Sequence, residues 1–423
     1  MRISLRINYR KVLINVLMLL TVIGCFGYIR SIYIYHTTVK YMGFVLIYAI
    51  FILYCCRKYS EKLPARWRLV WSYIIITTPF LNYPNSSRYL IVLSLGMILL
   101  KLYALPNDFY ERLNRIFIWG GAFFSFATLL QALVPGLFHI ILRVVQSDKL
   151  YEQTLKYLER YGAYCGLAGE SSFNAFCIAL GMLCLVAQIL ARRKVKGSEI
   201  LFILLMYYSI LLTGKRSFLL MIPMIILCFF LFFAIAEKKR KYILLCTLLL
   251  IMMPIVFYAF LGEVIMKILA SGKGSSTSSF IDLSNRRLFW NIALSMVRSK
   301  PLFGHGMMAF DNFYNSYFNN NYTFAGAHNS YLQLLGEMGV IGGGIYIIAI
   351  LTTFIKGIKD VLRIVKNNKN GLRMLAYSSV CIQAMCIIYG FSGNPFHRPQ
   401  QLLTYFIAVA MGMYVHKRNW EEV

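Results

Sequence analysis

Long apolar runs separated by short polar or charged breaks dominate the hydrophobic pattern of this chain. A helix needs roughly 20 apolar residues to cross a bilayer, and most of the runs approach that length. The pattern therefore predicts an all-α, polytopic membrane protein with about twelve transmembrane helices. The apolar runs lie approximately at residues 12–29, 41–56, 69–82, 89–105, 116–133, 161–190, 200–212, 218–236, 242–261, 331–355, 374–391 and 402–415.

Some of these runs are too short for a straight span. Residues 200–212 and 402–415 are the clearest cases. We expect tilted or partly re-entrant helices there, and a count of ten or eleven spans stays open.

Composition agrees with bilayer solvent, because 59% of the residues are hydrophobic and only 14% are charged. The net charge of +28 would suggest nucleic acid as a partner in a soluble protein. Here the positive-inside rule explains most of it, so we predict no nucleic-acid partner. With a cytoplasmic N-terminus and a retained first helix, the inner stretches hold most of the Lys and Arg. The short outer loops hold Arg30, Lys40, Arg88, Lys215, Arg216 and Arg398.

Two long segments fall on the outer side. Residues 134–160 mix apolar and charged positions at helical spacing, which indicates an amphipathic helix at the interface. Residues 262–330 are long and polar enough for an extracytoplasmic subdomain, with a helix that begins near Ser284 and ends before Pro301. We therefore divide the chain into an N-terminal bundle of about nine spans (1–261), this loop (262–330) and C-terminal helices with a cytoplasmic tail (331–423).

Five outer cations are candidates for binding an anion. Guanidinium groups bind phosphate oxygens in two-pronged fashion, and several together can hold a pyrophosphate without a metal. Alternatively, these side chains reach lipid head groups or pair with Asp282, Asp311 and Glu263. The five candidates are Lys215, Arg216, Arg286, Arg287 and Arg298.

His328 is the candidate general base. It precedes Asn329 where the outer loop re-enters the membrane, and a neutral imidazole there can take a proton from a hydroxyl. A helix-capping or network role is the alternative. His397, next to Arg398, is a weaker second candidate.

Two acidic residues lie near or within apolar runs. Glu170 is predicted to be functional or paired with Arg216 or an arginine of the long loop, although a pairing that only fixes two helices explains it equally well. Glu337 is predicted to close a polar network within the bundle. The glycines at 342–344 indicate close helix packing.

The cysteines are scattered and form no paired motif with histidine, so neither zinc nor a disulfide framework is predicted. The outer loop also carries aromatic residues that can stack against sugar faces or form an interfacial belt. These aromatic residues are Tyr314, Tyr317, Phe318, Tyr322 and Phe324.

Three separated stretches together resemble the O-antigen polymerase and O-antigen ligase superfamily of bacterial surface-polysaccharide glycosyltransferases. TGKRS from Thr213 is similar to that family's Thr-Gly-Ser-Arg-Ser turn. SNRRLFW from Ser284, followed by PLFGHGM, is similar to its Ser-Gly-Arg-x-x-x-Trp and Pro-Leu-x-Gly-x-Gly elements. AHNSYLQLLGEMGVIGG from Ala327 matches its Ala-His-Asn-x-Tyr-Leu and Glu-x-Gly-x-x-Gly pattern. The similar region spans about residues 161–344.

The resemblance implies roles for individual residues. Arg216 and Arg286 would hold the pyrophosphate of a polyprenyl-linked sugar donor, and His328 would activate or position the acceptor hydroxyl. Arg287 is ambiguous, because Arg286 has a tryptophan four residues later as the pattern requires. Lys215 replaces the family's serine. Glu170, Asn329, Arg298 and Glu337 are expected in supporting positions.

The resemblance further implies a metal-independent, inverting transfer without a cofactor, in a fold related to C-type membrane glycosyltransferases. We expect a polymerase of polyprenyl-pyrophosphate-linked repeat units for capsule or O-antigen, in the bacterial inner membrane with an extracytoplasmic active site. A ligase that moves a finished glycan to a lipid or protein acceptor is the nearest alternative, and a transporter of lipid-linked sugars is the second. Candidate partners are the lipid-linked donor and acceptor, the bilayer, and the chain-length regulator and flippase of the same pathway.

Overall fold

The protein is described from a computed structural model. The structure describes residues 9–26, 62–77, 107–146, 148–236, 240–256, 283–318, 326–366 and 370–421, together with five isolated positions between residues 47 and 105. This part of the chain is all-α, which agrees with the predicted class. Its helices are α1 (Tyr9–Phe26), α2 (Ala65–Thr77), α3 (Asn107–Leu133), α4 (Pro135–Val145), α5 (Asp148–Tyr161), α6 (Ser171–Arg192), α7 (Gly197–Leu212), α8 (Arg216–Ala236), α9 (Arg240–Val256), α10 (Leu283–Ser299), α11 (Phe310–Phe318), α12 (Ser330–Lys366), α13 (Asn370–Tyr389) and α14 (Pro399–Glu421).

Helix α6 is the centre of the bundle. It is apolar along almost its whole length and nearly every side chain is buried, because α3, α7, α8 and α13 pack around it. Helices α3 and α6 approach most closely at two glycines. A Cβ added to Gly121 would lie 2.7 Å from the Cα of Gly181, so a larger residue at either position would push the two helices apart.

Four of the described helices are long and apolar enough to cross a membrane, namely Asp108–Leu133, Ser171–Arg192, Ser330–Lys366 and Gly371–Tyr389. Apolar helices of 10–17 residues occur at Val12–Phe26, Pro135–Val145, Gly197–Leu212 and Arg216–Phe232. Large apolar side chains stay exposed on the outside of the bundle, as lipid contact requires. The predicted runs at 41–56 and 89–105 lie almost entirely outside the described residues, so the count of twelve stays a prediction.

Residues 134–160 form two helices, and the expectation of one helix is corrected. Helix α4 ends at Val145, and α5 begins at Asp148. The side chain of Gln146, between them, accepts a hydrogen bond from the Thr154 hydroxyl at 3.1 Å and donates one to the Leu167 carbonyl at 3.3 Å. In α5, Thr154 is buried while Glu152 is exposed, which agrees with the predicted amphipathic character.

Helix α10 confirms the prediction for the middle of the long loop, because it ends at Ser299, before Pro301. It begins at Leu283, one residue before the predicted start. Residues 257–282, which include the first part of the predicted loop, lie outside the described part. The proposed subdomain boundaries therefore stay a prediction.

The loop after α10 fills a break in α12. Gly339 has φ 69° and ψ 179°, so the helix is interrupted there. The amides of Val340 and Ile341 donate to the carbonyls of Pro301 (2.8 Å) and Leu302 (3.3 Å). The loop thus replaces hydrogen bonds that the break removes from α12.

The loop also donates to α12 on the other side of the break. The amides of His305 and Gly306 donate to the carbonyls of Gly336 (3.2 Å) and Glu337 (2.7 Å). Gly304 has φ 71°, and a Cβ there would lie 2.4 Å from the Glu337 carbonyl oxygen. We call this arrangement of residues 301–306 against residues 336–341 the α10–α12 lock.

The lock aligns α10 with the first part of α12, so that the two helices run in the same direction. Phe289 lies beside His328, with ring centroids 5.5 Å apart. A Cβ added to Gly336 would lie 3.2 Å from the Met296 side chain, and a Cβ on Gly339 would meet Leu302. The starts of α10 and α12 therefore lie side by side, and the lock holds them there.

Only part of the 342–344 glycine run serves close packing. A Cβ on Gly342 would lie 2.0 Å from the Tyr73 ring, whereas a Cβ on Gly344 would have no neighbour within 4 Å among the residues that the structure describes. The Tyr73 hydroxyl also donates to the Met338 carbonyl at 2.7 Å. The prediction is thus confirmed for Gly342 and wrong for Gly344.

Candidate functional site

The TGKRS turn presents two cations at one end of the bundle. The Thr213 hydroxyl donates to the Ile210 carbonyl at 2.7 Å, and Gly214 takes φ 67°, a conformation that glycine adopts without strain. Helix α8 begins at Arg216 directly afterwards. Lys215 and Arg216 are therefore fixed at the start of a helix by a turn that only a few residue types can form.

Glu170 is fixed next to α6 by a second glycine turn. Gly169 has φ 69°, and a Cβ there would lie 2.3 Å from the Leu150 side chain of α5. Glu170 itself is buried and forms an ion pair with the guanidinium of Arg398, while the Ser172 hydroxyl donates to its other oxygen. Sequence analysis predicted Arg216 or an arginine of the long loop as the partner of Glu170, and it missed Arg398.

The loop that carries Arg398 is attached to the start of α12. The amide of Ser330 donates to the carbonyls of Gly390 (2.8 Å) and Gly393 (3.1 Å). The Tyr331 hydroxyl donates to the Ile387 carbonyl at 2.7 Å. Because both contacts lie next to His328 in sequence, they fix the distance between the Arg398 loop and that histidine.

Six residues from five parts of the chain meet at this end of the bundle. Lys215 interacts electrostatically with Glu170, Arg398 and Arg286, and Arg216 with Arg286. His328 interacts with Arg398, Arg286, Lys215 and Glu170. We call this group the cationic cluster: Glu170, Lys215, Arg216, Arg286, His328 and Arg398.

His328 is the part of the cluster most open to solvent. Part of the residue is exposed to solvent, its backbone has φ 52°, and its imidazole ring packs against Phe289 within the surrounding protein. Desolvation by the surrounding protein, followed by the nearby charges of Arg398 and Arg286, lowers the pKa of His328 to about 4. The imidazole is therefore neutral at physiological pH and can accept a proton.

The cluster carries an excess of positive charge, with four cations against the single carboxylate of Glu170. Desolvation lowers the pKa of Lys215, and the neighbouring guanidinium groups of Arg398 and Arg286 act in the same direction, whereas Glu170 opposes them. Such a group of cations favours a ligand with more than one negative charge.

Four of the sequence candidates lie outside the cluster or serve its framework. Arg287 is exposed, next to the half-buried Arg286. Arg298 is exposed three turns farther along α10, an axial distance of about 18 Å from Arg286. Asn329 is a helix cap, because its side-chain oxygen accepts from the amides of Tyr331 and Leu332, each at 3.1 Å. Glu337 is the fourth.

Glu337 closes a buried network, as predicted. Its Oε1 accepts from the Gln333 amide at 2.9 Å, and its Oε2 lies 3.3 Å from Nε2 of His397. His397 is buried in this network, which argues against it as a solvent-facing base. His305 is also structural, since its Nε2 lies 2.7 Å from the Ser299 hydroxyl.

Among the residues that the structure describes, no three His, Cys, Asp or Glu side chains are grouped as a metal site would require. The expectation of a metal-free reaction stays a prediction.

The cluster and the lock both come largely from one continuous stretch of chain. Residues 201–347 match the model of the O-antigen ligase family. This match confirms the resemblance to the O-antigen polymerase and ligase superfamily. A search of curated proteins found no match. The matched segment of this chain contains Lys215, Arg216, Arg286 and His328. Glu170 lies before it, and Arg398 lies after it.

Proposed function

We propose that this membrane protein polymerises polyprenyl-pyrophosphate-linked oligosaccharide repeat units into a surface polysaccharide, on the extracytoplasmic side of the bacterial inner membrane. The observation that carries the proposal is the meeting of Arg216, Arg286 and His328 in one cationic cluster. The match of residues 201–347 to the O-antigen ligase family supports the reaction class.

The four cations suit the departing group. Glycosyl transfer from a lipid-linked donor breaks the bond between the sugar and the pyrophosphate, and negative charge develops on the pyrophosphate oxygens. Fixed guanidinium groups stabilise that charge without reorganising, an effect for which removal of one donor costs about 10²–10³ in rate in other enzymes. In the proposed reaction Arg216 and Arg286 contact the pyrophosphate, and Lys215 adds a cation in the same turn.

His328 suits the acceptor side of the same reaction. The acceptor hydroxyl loses its proton as it attacks the anomeric carbon, and a neutral imidazole can take that proton. The pKa of about 4 ensures that the imidazole is unprotonated at neutral pH, although it also makes the residue a weak base. We therefore assign His328 to positioning the hydroxyl and accepting its proton late in the transfer.

A line of aromatic rings leads away from His328 and offers a path for the glycan. Phe289 lies between His328 and Tyr314, with ring centroids 5.5 Å from each. Phe318 follows at 4.8 Å from Tyr314, and the exposed Tyr317 at 5.1 Å from Phe318. Aromatic faces of this kind can stack against sugar rings. Tyr322 and Phe324, predicted for the same role, lie outside the described residues.

A ligase reaction uses the same donor chemistry, and it is the second candidate function. The two differ in the acceptor, which is another lipid-linked repeat unit for a polymerase and a lipid core or protein for a ligase. A transporter of lipid-linked sugars would be expected to place polar residues along a central path. The buried, apolar α6 at the bundle centre and the cluster at one end favour an enzyme instead.

The glycans of a deletion strain separate these functions. Single repeat units at the surface mean that polymerisation is lost, whereas long chains left on the carrier lipid mean that ligation is lost. Repeat units that stay on the cytoplasmic side of the membrane would indicate a transporter. Elongation of a lipid-linked oligosaccharide by the purified protein is the positive result we expect.

A further inference from the structure

A second group of arginines lies at the end of the bundle opposite the cationic cluster. There, the first turns of α3, the end of α6 and the start of α13 surround an open cavity of about 800 Å³. Helix α6 runs from Ser171, beside Glu170, to Arg192 at the cavity, which corresponds to roughly 30 Å. The cavity is therefore separate from the site proposed for glycosyl transfer.

The cavity lining is rich in guanidinium groups. Among the described residues, Arg115, Arg192, Arg193 and Arg373 line it together with the carboxylate of Glu111. Arg192 also pairs with Glu199, and these described residues together carry four positive charges against two negative ones. Guanidinium groups gathered from three helices in a cavity of this volume match the chemistry of a phosphate-bearing ligand.

The surface next to the cavity identifies the environment as a bilayer boundary. Trp119 lies one turn after Arg115 on α3 and is 71% exposed, and it is followed on the same side by Phe123 and Phe126, which are also exposed. Tryptophan is enriched where head groups meet the hydrocarbon region. A ligand in the cavity would thus have its phosphate among the arginines and an apolar surface beside it.

We propose that this cavity binds the phosphate group of an anionic phospholipid. The charge distribution along the chain predicts that this end faces the cytoplasm, where the leaflet carries anionic lipids. A free phosphate ion shares the same chemistry, but it would not use the exposed apolar face of α3. The bound lipid would join α3, α6 and α13 at the end remote from catalysis.

Lipid binding to the purified full chain tests this proposal. Native mass spectrometry would count bound phosphatidylglycerol, and a titration would give its Kd. Phosphatidylcholine and inorganic phosphate are the two comparison ligands. The informative variant combines Arg115→Gln and Arg193→Gln, which removes two exposed lining cations. Its matched control combines Arg112→Gln and Lys194→Gln, which removes two cations close by in sequence that do not line the cavity.

We expect the lining variant to bind phosphatidylglycerol roughly 30-fold more weakly, since each cation near an anionic lipid surface contributes roughly a fivefold effect and the variant removes two. The control variant should stay within about twofold of wild type. Equal loss in both variants, or loss in neither, would overturn the proposal, because the attraction would then be diffuse or absent. Binding of inorganic phosphate as tightly as phosphatidylglycerol would overturn the assignment to a lipid.

Because both lining substitutions are exposed, we expect the lining variant to unfold at the wild-type temperature when no lipid is added. The single Arg115→Gln variant, with an expected loss of roughly fivefold, gives the same answer should the double variant be unstable.

Discussion

The cationic cluster and the α10–α12 lock both involve α10 and α12, yet they are built from different interactions. The cluster consists of charged side chains around one histidine, and its principal contacts are an ion pair and electrostatic interactions across five parts of the chain. The lock consists of backbone hydrogen bonds and two glycines in left-handed or extended positive-φ conformations. One region supplies chemistry, and the other fixes where that chemistry occurs.

This difference explains why charged residues and glycines occur together in the sequence around α10 and α12. Arg286 lies near the start of α10 and His328 just before α12, while Gly304 lies in the loop after α10 and Gly339 lies within α12. Because the lock holds the two helices in register, it sets the distance between a proposed donor-binding group and the proposed base. Changes in the cluster should therefore reduce activity alone, whereas changes in the lock should reduce both stability and activity.

The largest effect should follow from His328→Ala. Removal of a group that accepts a proton in the transition state costs about 10²–10⁴ in rate. Because part of the residue is exposed to solvent, the unfolding temperature should be unchanged. The initial rate of oligosaccharide elongation by purified protein measures the effect, with His139→Ala on α4 as the control. A His328→Ala rate within tenfold of wild type would remove His328 from the proposed mechanism.

The lock should be broken by Gly339→Ala. A side chain at φ 69° and ψ 179° is strained by about 1–3 kcal/mol, and the added Cβ would lie 2.2 Å from the Leu302 carbonyl oxygen. Both the unfolding temperature and the elongation rate should fall. Gly344→Ala is the matched control, because its Cβ meets none of the described residues within 4 Å and the exchange should leave stability equal or slightly higher. Equal unfolding temperatures of the two variants would show that the break in α12 does not contribute to the stability of the protein.

A smaller effect is expected for Glu170→Gln. The amide keeps a hydrogen bond to Arg398 but removes the charge that balances it, so the guanidinium loses its fixed position. We expect a roughly tenfold lower elongation rate, because Arg398 is partly exposed and water screens part of the interaction. Glu199→Gln, which breaks the ion pair with Arg192 at the other end of the bundle, should stay within about twofold. Equal elongation rates for the two variants would show that the Glu170–Arg398 pair only joins parts of the structure and does not contribute to the reaction.

The smallest effect should be that of pH near neutrality. With the pKa of His328 lowered to about 4, its neutral form dominates at every pH above about 5, and the rate should be nearly constant from pH 6 to pH 8. On acidification the rate should fall as the imidazole gains a proton near pH 4. A profile of elongation rate against pH checks this. A midpoint near 6.5 that disappears in His328→Ala would contradict the effect assigned to desolvation and the neighbouring cations.

Much of the architecture follows from local patterns in the sequence. The end of α10 before Pro301, the amphipathic character of residues 134–160 and the buried network of Glu337 were all predicted from spacing and polarity. The first two features, and the contact of Glu337 with Gln333, depend on residues close together in the chain. The break at Gln146, after α4, was missed because the partners of this glutamine lie on other elements.

The contacts between distant segments could not be predicted. Glu170 and Arg398 are separated by 228 positions, and neither has a motif that names the other. The lock was visible as two glycine-containing motifs, but nothing in their spacing shows that the backbone of one replaces the helix hydrogen bonds of the other. Arg398 was noted as the neighbour of a weak candidate, and only the fold brings it into the cluster.

The most direct test of the central claim, that the cationic cluster acts on a lipid-linked pyrophosphate, compares two neighbouring arginines. Elongation of a polyprenyl-pyrophosphate-linked oligosaccharide would be measured with purified Arg286→Gln and Arg287→Gln proteins. Arg286 contributes to the cluster and Arg287 is exposed beside it, so we predict a loss of about 10²–10³ for the first and less than threefold for the second. Equal losses, or a larger loss for Arg287→Gln, would contradict the account.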